Sequence, residues 1–182
     1  MATYHVLYNP NAGNGRGKPD AEKLRELMAG DTLHFYDMTA ISDYRSFFDG
    51  LPSGDRFMIA GGDGTLNRFV NDTREMTLPG DLYYYATGSG NDFLHDLGKN
   101  KGDAPFCINE YVRDLPSVTV NGKDYLFLNG IGYGIDGYCC EVGDQHRLKS
   151  DKPVNYTSIA IKGLLFHYRR TTATVTVDGN EF

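Results

Sequence analysis

Cysteine is scarce in this chain. Among 182 residues only Cys107 and the adjacent pair Cys139 and Cys140 carry a thiol, too few and wrongly spaced for a disulfide framework or for zinc ligands of the C-x-x-C kind. A reducing, cytoplasmic compartment is the expectation. A surplus of positive charge is also missing: 24 Asp and Glu outnumber 18 Lys and Arg, for a net charge of -6 at pH 7. No global field attracts a phosphodiester backbone, which argues against nucleic acid as a partner. No apolar run approaches the ~18 residues of a spanning helix, and Met1 to Tyr8 has no basic start of the kind that opens a signal peptide. Any membrane contact is expected to be peripheral. Internal repeats and low-complexity stretches are absent. With 40% hydrophobic and 23% charged residues, the composition excludes disorder and predicts one globular domain, or one plus part of another.

What is plentiful is glycine, 22 residues of it, and much of it stands at the ends of apolar runs. Thr3 to Asn9 reads as a strand that stops at Asn9-Pro10, followed by a loop from Pro10 to Lys18. Pro19 and Asp20 suit the first turn of a helix carrying Leu24, Leu27 and Met28. Thr32 to Met38 reads as a second strand, Ser42 to Leu51 as a helix, and Arg56 to Ala60 as a third strand ending on Gly61-Gly62. Thr65 to Glu75 looks helical through Leu66, Phe69 and Val70; Leu82 to Ala86 reads as a fourth strand, and Phe93 to Leu97 as a short helix. This alternation predicts an open α/β sheet with substantial parallel pairing, its ligands gathered at the carboxyl ends of the strands.

Beyond about Asn109 the pattern changes. Ser117 to Val120, Asn121-Gly122 and Tyr125 to Leu128 predict a hairpin, since Asn-Gly supplies the positive φ angles of a tight turn. Tyr156 to Tyr168 is expected to be a helix packed on a sheet, and Thr172 to Val177 a strand turning at Asp178-Gly179 with no partner strand to follow. The expectation is a first domain over residues 1–114 and the incomplete opening of an antiparallel β-rich domain over residues 115–182. An open sheet edge of that kind is expected to pair with another chain and form dimers.

Three loops carry the chemistry. Gly61-Gly-Asp-Gly-Thr65 follows a strand and opens a helix, so its backbone can approach a phosphate and the helix N-terminus offers free N–H groups. Asp63 would repel that phosphate unless a cation lay between them, which suggests Mg2+ or its waters; an ordinary tight βα turn is the alternative. Asn9-Pro-Asn-Ala-Gly13 and Gly88-Ser-Gly-Asn-Asp92 occupy equivalent places after the first and fourth strands, so all three converge on one sheet edge.

Together, Asn9-Pro10 to Gly13, Gly61-Gly-Asp-Gly-Thr-Leu-Asn67 and Thr87-Gly-Ser-Gly-Asn-Asp-Phe93 resemble the motifs of the diacylglycerol kinase catalytic-domain family. That family includes bacterial lipid kinases, sphingosine kinases and ceramide kinase. Phe127 to Gly134 resembles its passage into a second, β-rich domain. The resemblance implies an NAD-kinase/diacylglycerol-kinase-like fold and an ATP-dependent kinase that phosphorylates a lipid hydroxyl at a membrane surface, with ATP and Mg2+ as cofactors. It implies nucleotide contacts at Asn9, Pro10, Asn11, Ala12 and Gly13, at Thr39, at Gly61, Gly62, Asp63, Gly64, Thr65, Leu66, Asn67 and Arg68, and at Gly88, Ser89, Gly90, Asn91 and Asp92. Asp63 would be the catalytic, Mg2+-linked carboxylate, and Asp114 would match a further acidic residue.

There are departures. The family's catalytic base lies in an acidic motif late in its second domain, beyond Phe182, so this chain alone is expected to be inactive. Asp178-Gly-Asn-Glu181 imitates that motif but comes too early. Leu94-His95-Asp96 stands where the family more often has Ala-Arg. Gly132 to Gly137 fits G-x-G-x-x-G, but no acidic strand end follows it, only the polar run Asp144 to Pro153. Gly13 to Lys18 misses a P-loop, with Ala12 and Pro19 at two of its defining positions. His5, His34, His95, His146 and His167 have no ligand spacing and read as surface or packing residues. Tyr83-Tyr84-Tyr85 reads as strand. Phe166 to Arg170 suits either a membrane interface or a plain helix C-terminus. Two other readings stand beside the lipid kinase: an NAD kinase, which shares the Gly-Gly-Asp-Gly-Thr turn but has other motifs missing here, and a non-catalytic nucleotide-binding or interaction module.

Overall fold

A computed structural model describes residues 1–150, 152, 154–167, 169, 174, 176–177 and 180–181. The chain divides into two compact units, Met1–Gly130 and Ile131–Phe182.

The first unit is built on a five-stranded sheet ordered β2-β1-β3-β4-β5, from β1 (Thr3–Tyr8), β2 (Thr32–Asp37), β3 (Arg56–Gly61), β4 (Leu82–Ala86) and β5 (Phe106–Cys107). The first four run parallel and β5 is antiparallel on β4. Alternate residues enter opposite faces, as a pleated strand requires. Val6, Met58, Ala60 and Tyr85 pack under Ala21 and Leu24, which stand on α2 (Gly17–Glu22) and α3 (Leu24–Leu27). Leu7, Phe57, Ile59, Leu82 and Tyr84 face the other way, against Phe48, Leu66, Phe69 and Phe93. Those side chains come from α4 (Tyr44–Asp49), α5 (Asp63–Asp72) and α6 (Asp92–Asp96). The mixed α/β fold with a largely parallel sheet is the one read from the sequence, and Tyr83-Tyr84-Tyr85 is strand.

Helix ends follow local chemistry. The Asp43 carboxylate accepts the Arg45 and Ser46 N–H groups and starts α4 two residues later than the apolar pattern suggested. α5 begins at Asp63 behind the extended Gly62 and ends at Asp72, where Thr73 Oγ1 bonds back to the Phe69 carbonyl at 2.8 Å. Before α2 a single distorted turn, α1 (Ala12–Gly15), holds Gly13 and Asn14 in the left-handed region. His5 is buried at 3% exposure, with Nε2 2.9 Å from Asp55 Oδ2 and Nδ1 3.1 Å from Tyr36 Oη, so it is a packing residue.

α7 (Asn109–Val112) leads to the hairpin of β6 (Ser117–Val120) and β7 (Lys123–Leu126), closed by Asn121 and Gly122 at φ 52° and 76° as the Asn-Gly signal predicts. The hairpin is held on α5: Asn71 Nδ2 donates to the Leu126 carbonyl and Asn71 Oδ1 accepts the Leu126 N–H, each at 2.9 Å.

In the second unit the polar segment after Gly132 forms a helix, α8 (Ile135–Lys149), that the sequence pattern did not show. Its Gly143 leaves room for the Tyr156 ring of α9 (Tyr156–Lys162), and Gly163 abuts Ile135 and Tyr138. Packing between helices therefore stands in for a clear apolar stripe. The helix expected from Tyr156 continues as a π-turn over Gly163–His167; Tyr168 lies outside the described residues. Two short antiparallel strands, β8 (Thr176–Val177) and β9 (Asn180–Glu181), also occur, with Thr176 opposite Glu181. Thr176 and Val177 therefore do have a partner strand, two residues long, where the sequence predicts none. Thr172, Asp178 and Gly179 themselves lie outside the described residues, as do Arg170 and Pro153. No helix of the described residues is long and apolar enough to cross a membrane.

Candidate functional site

Parallel pairing sets Tyr8 beside Ala60 and Gly61 beside Ala86, so the chain leaves β1, β3 and β4 along one edge. The first loop is shaped by Asn9, whose N–H donates to the Ala60 carbonyl at 3.2 Å and whose Oδ1 accepts the Asn11 N–H at 3.0 Å. Its amide nitrogen crosses to the second loop and donates to Thr65 Oγ1 at 2.9 Å. Gly13, at φ 57°, brings its backbone against the third loop; a β-carbon there would lie 2.7 Å from the Thr87 carbonyl oxygen.

The second and third loops touch backbone to backbone. The Thr87 N–H donates to the Gly61 carbonyl at 2.8 Å, and a β-carbon on Gly88 would come within 2.5 Å of the Gly62 Cα. Tyr84, buried under them, donates its hydroxyl to the same Gly61 carbonyl at 3.1 Å. Burial, and then the Asp63 charge, push the Tyr84 phenol far up, so it remains a neutral donor. Thr65 and Leu66 N–H groups both reach back to the Gly62 carbonyl at 3.0 Å. The Asp63 and Gly64 N–H groups are thus the ones that α5 leaves without an intrahelical acceptor at its N-terminus.

Asp63 spans the loops. Its Oδ2 accepts the Asp92 N–H at 3.1 Å and its Oδ1 the Phe93 N–H at 3.0 Å. The carboxylate thus caps α6 from the neighbouring loop. A β-carbon on Gly90 would lie 3.6 Å from Asp63 Oδ2 and 3.8 Å from Asp92 Oδ1, so both carboxylates border the same exposed glycine. Asn91 is buried and left-handed, at φ 61°, with Nδ2 on the Gly88 carbonyl at 3.1 Å. Among the described residues, the buried Asn91 Oδ1, Thr87 Oγ1 and Asn67 Oδ1 have no hydrogen-bond partner.

Not every residue of the sequence reading presents its side chain here. Pro10 and Ala12 are half-buried, and Asn11, Gly64, Ser89 and Gly90 are exposed. Leu66 is fully buried in the core, so only its backbone borders the turn. Arg68 is exposed and pairs with Asp72 at 3.4 Å, one turn along its own helix. Thr39 sits in a short 3-10 turn after β2, where its N–H and Oγ1 both donate to Asp37 Oδ1. Asp37 is the register partner of Tyr8, which puts this turn at the same end of the sheet. Asp114 is exposed, between α7 and β6.

Two residues of the edge escaped the sequence reading. Lys101 Nζ donates to the Gly88 carbonyl at 2.9 Å and the Thr87 carbonyl at 3.3 Å, and lies 3.9 Å from Asp20 Oδ2. Asp20 is buried in α2, with Lys23 Nζ at 2.7 Å and Arg16 Nη2 at 3.6 Å from Oδ1. Burial pushes its carboxyl up, but the Lys23 hydrogen bond and the charges of Lys23, Lys101 and Arg16 outweigh that and hold it below the ordinary carboxylate value. No spacing signal marks a lysine fourteen places past Thr87; Asp20 looked like an ordinary first-turn acid.

Among the described residues no group of three or more His, Cys, Asp or Glu side chains gathers as a metal cage. The arrangement is instead an edge of backbone donors flanked by two carboxylates. No solved structure matches the chain. A diacylglycerol kinase of Bacillus subtilis (strain 168) is 25% identical over 150 residues, covering 72% of this chain and 46% of that protein. The chain thus spans about half the length of the curated relative it matches. Residues 3–119, the whole sheet and all three loops, match the diacylglycerol kinase catalytic domain, and on that match the chain belongs to the diacylglycerol kinase catalytic domain family.

Proposed function

We propose that this chain binds ATP on the three-loop edge as part of a kinase that phosphorylates a lipid hydroxyl, that of diacylglycerol or a sphingoid base. In this reading residues 1–114 carry the nucleotide and residues 115–182 begin a β-rich lipid-binding part. The observation that carries it is the contact of three glycine loops at the ends of parallel strands, beside the free N–H groups of α5. Such an edge suits the phosphates of a nucleotide, because backbone donors and the positive helix end face the anion without a desolvated side chain. Buried oxygens without partners on Thr87 and Asn91 support a ligand or water network at this place.

Asp63 and Asp92 fit Mg2+ in the manner of a phosphate-bound ion, which takes one or two carboxylates, waters and phosphate oxygens rather than a full protein cage. When bound, Mg2+ supplies neutralisation of the phosphate charge during transfer. The chain's own part is positioning. Gly61, Gly62 and Gly88 let the second and third loops close on one another, since a β-carbon on them would meet Thr65, Gly88 or Gly62; Asp63 and Gly64 N–H groups hold an oxygen, and the Asn9–Thr65 bond keeps the first two loops in register. Exposed Leu164, Leu165 and Phe166 in the second unit support contact with the membrane where a lipid acceptor resides.

The test is phosphoryl transfer from ATP to diacylglycerol, sphingosine and NAD, with calorimetric titration of a non-hydrolysable ATP analogue in parallel. With both this chain and the full open reading frame assayed, transfer to a lipid by the full frame is the expected result, with negligible transfer by the 182 residues alone. Transfer to NAD alone overturns the substrate class, and a protein that binds no nucleotide overturns the reading altogether.

A further inference from the structure

We infer that Lys101 is a positioning residue for the nucleotide edge, fixing the third loop against the first through the buried Asp20. The inference rests on the ATP-binding reading and goes beyond it, since neither residue belongs to the glycine loops. An ammonium group has three donors. At Lys101 one faces the Gly88 carbonyl at 2.9 Å, one the Thr87 carbonyl at 3.3 Å, and Asp20 Oδ2 lies 3.9 Å away. Asp20 is committed to this place: it is buried, its Oδ1 is served by Lys23 and Arg16, and Oδ2 is left toward Lys101. A β-carbon on Gly13 would sit 3.7 Å from that Oδ2 and 2.7 Å from the Thr87 oxygen, so the first loop crosses at the same point.

Two other roles for Lys101 compare poorly. An ordinary surface ion pair with Asp20 would be long and weak, and it would not explain two carbonyls on one ammonium. A direct phosphate ligand needs free donors, and two of the three are engaged by the carbonyls while the Asp20 carboxylate lies 3.9 Å from the ammonium. Peptide geometry supplies the positioning mechanism instead. In a trans peptide the N–H points opposite to the C=O, so holding the Thr87 and Gly88 carbonyls turns the Gly88 and Ser89 N–H groups away from Lys101. Those N–H groups are then set as donors for an anion, at no reorganisation cost when it binds.

The experiment uses the 182-residue chain with Lys101→Met, Lys101→Arg and, as a neighbour control, Lys99→Met. Affinity for a non-hydrolysable ATP analogue is measured by calorimetry, and amide exchange of residues 88–92 in the nucleotide-free protein. Lys101→Met is expected to weaken binding about tenfold, the scale of one charged hydrogen bond, to speed exchange in the loop, and to leave the thermal midpoint nearly unchanged. Lys101→Arg should restore most of the affinity, and Lys99→Met should match wild type. Equal affinity in Lys101→Met, with the wild type binding, overturns this inference and leaves the nucleotide reading standing. Weaker binding with unchanged loop exchange makes Lys101 a direct ligand and overturns the positioning role. Loss of affinity together with a matching fall in midpoint makes it a stability residue and also overturns it. A wild-type chain that binds no nucleotide overturns both.

Discussion

Asn9 and Thr65 stand 56 positions apart, and Asn9 Nδ2 donates to Thr65 Oγ1 at 2.9 Å. Thr65 is buried in the first turn of α5, while Asn9 is the first residue after β1. The bond therefore fixes the first loop to the second at the point where both leave the sheet, and a shift at Asn9 moves the turn that Gly61 to Thr65 forms.

Replacing Asn9 by Ala removes the donor and leaves the Thr65 hydroxyl underserved. The expected cost is about 1 kcal/mol of stability, read as a lower urea midpoint with an unchanged slope, together with weaker binding of an ATP analogue. A midpoint equal to wild type counts against the tie.

Close backbone approach makes a second prediction. A methyl group on Gly88 would stand 2.5 Å from the Gly62 Cα, which is backbone and cannot give way, and 2.7 Å from the buried Asn91 Oδ1, whereas one on Gly64 would meet nothing within 4 Å. Gly88→Ala should therefore destabilise the chain by about 1–3 kcal/mol and displace the loops, while Gly64→Ala should fold like wild type. Both are read from thermal and urea unfolding; equal stability of the two variants would mean that the loops do not touch as described.

The four parallel strands and their loops were legible because the inner strands are buried on both faces, whereas the two-residue β5 was not. Continuous apolar runs such as Phe57 to Ala60 stop abruptly at glycines, and Asn121-Gly122 suits a tight turn. α8 was not legible, since Gly137 and Gly143 interrupt its pattern and it packs through the Tyr156 ring rather than through an apolar stripe. The same limit hid Lys101 and Asp20. Their link depends on where a parallel sheet brings two distant segments, and neither residue type nor spacing carries that information. Asp63 was legible as a carboxylate in a phosphate turn; its two bonds to Asp92 and Phe93 N–H groups were not.

Tyr44 gives the pH dependence. Burial first, and then the Asp72 charge, push its phenol up to about 12 despite the opposing Arg68 charge. In the unfolded chain the phenol loses its proton near pH ~10, while the folded protein keeps it. The unfolded state then binds fewer protons, so stability falls as pH rises from about 10 to about 12, by up to about 3 kcal/mol for this group; below pH ~10 the contribution is complete. Tyr44→Phe should remove that share of the alkaline loss. Urea unfolding at a series of pH values checks it, and identical alkaline slopes in variant and wild type would exclude Tyr44 as the cause.

Asp63→Asn separates two roles for one carboxylate. Asparagine keeps the shape but has one accepting oxygen, so its amide nitrogen must face either the Asp92 or the Phe93 N–H, donor against donor. If Asp63 holds the third loop, exchange at these two amides should quicken about tenfold in the nucleotide-free protein, the scale of one lost charge-assisted hydrogen bond. If it also serves Mg2+ and the phosphates, phosphoryl transfer by the full open reading frame should fall by about 100-fold, as when one charge-stabilising group is lost. Faster exchange with full turnover would leave Asp63 as a cap for α6 alone. Slower turnover with unchanged exchange would place its whole contribution on the ligand side. Unchanged exchange with more than half the wild-type turnover would remove Asp63 from both roles, and the carboxylate facing Gly90 that matters would then be Asp92.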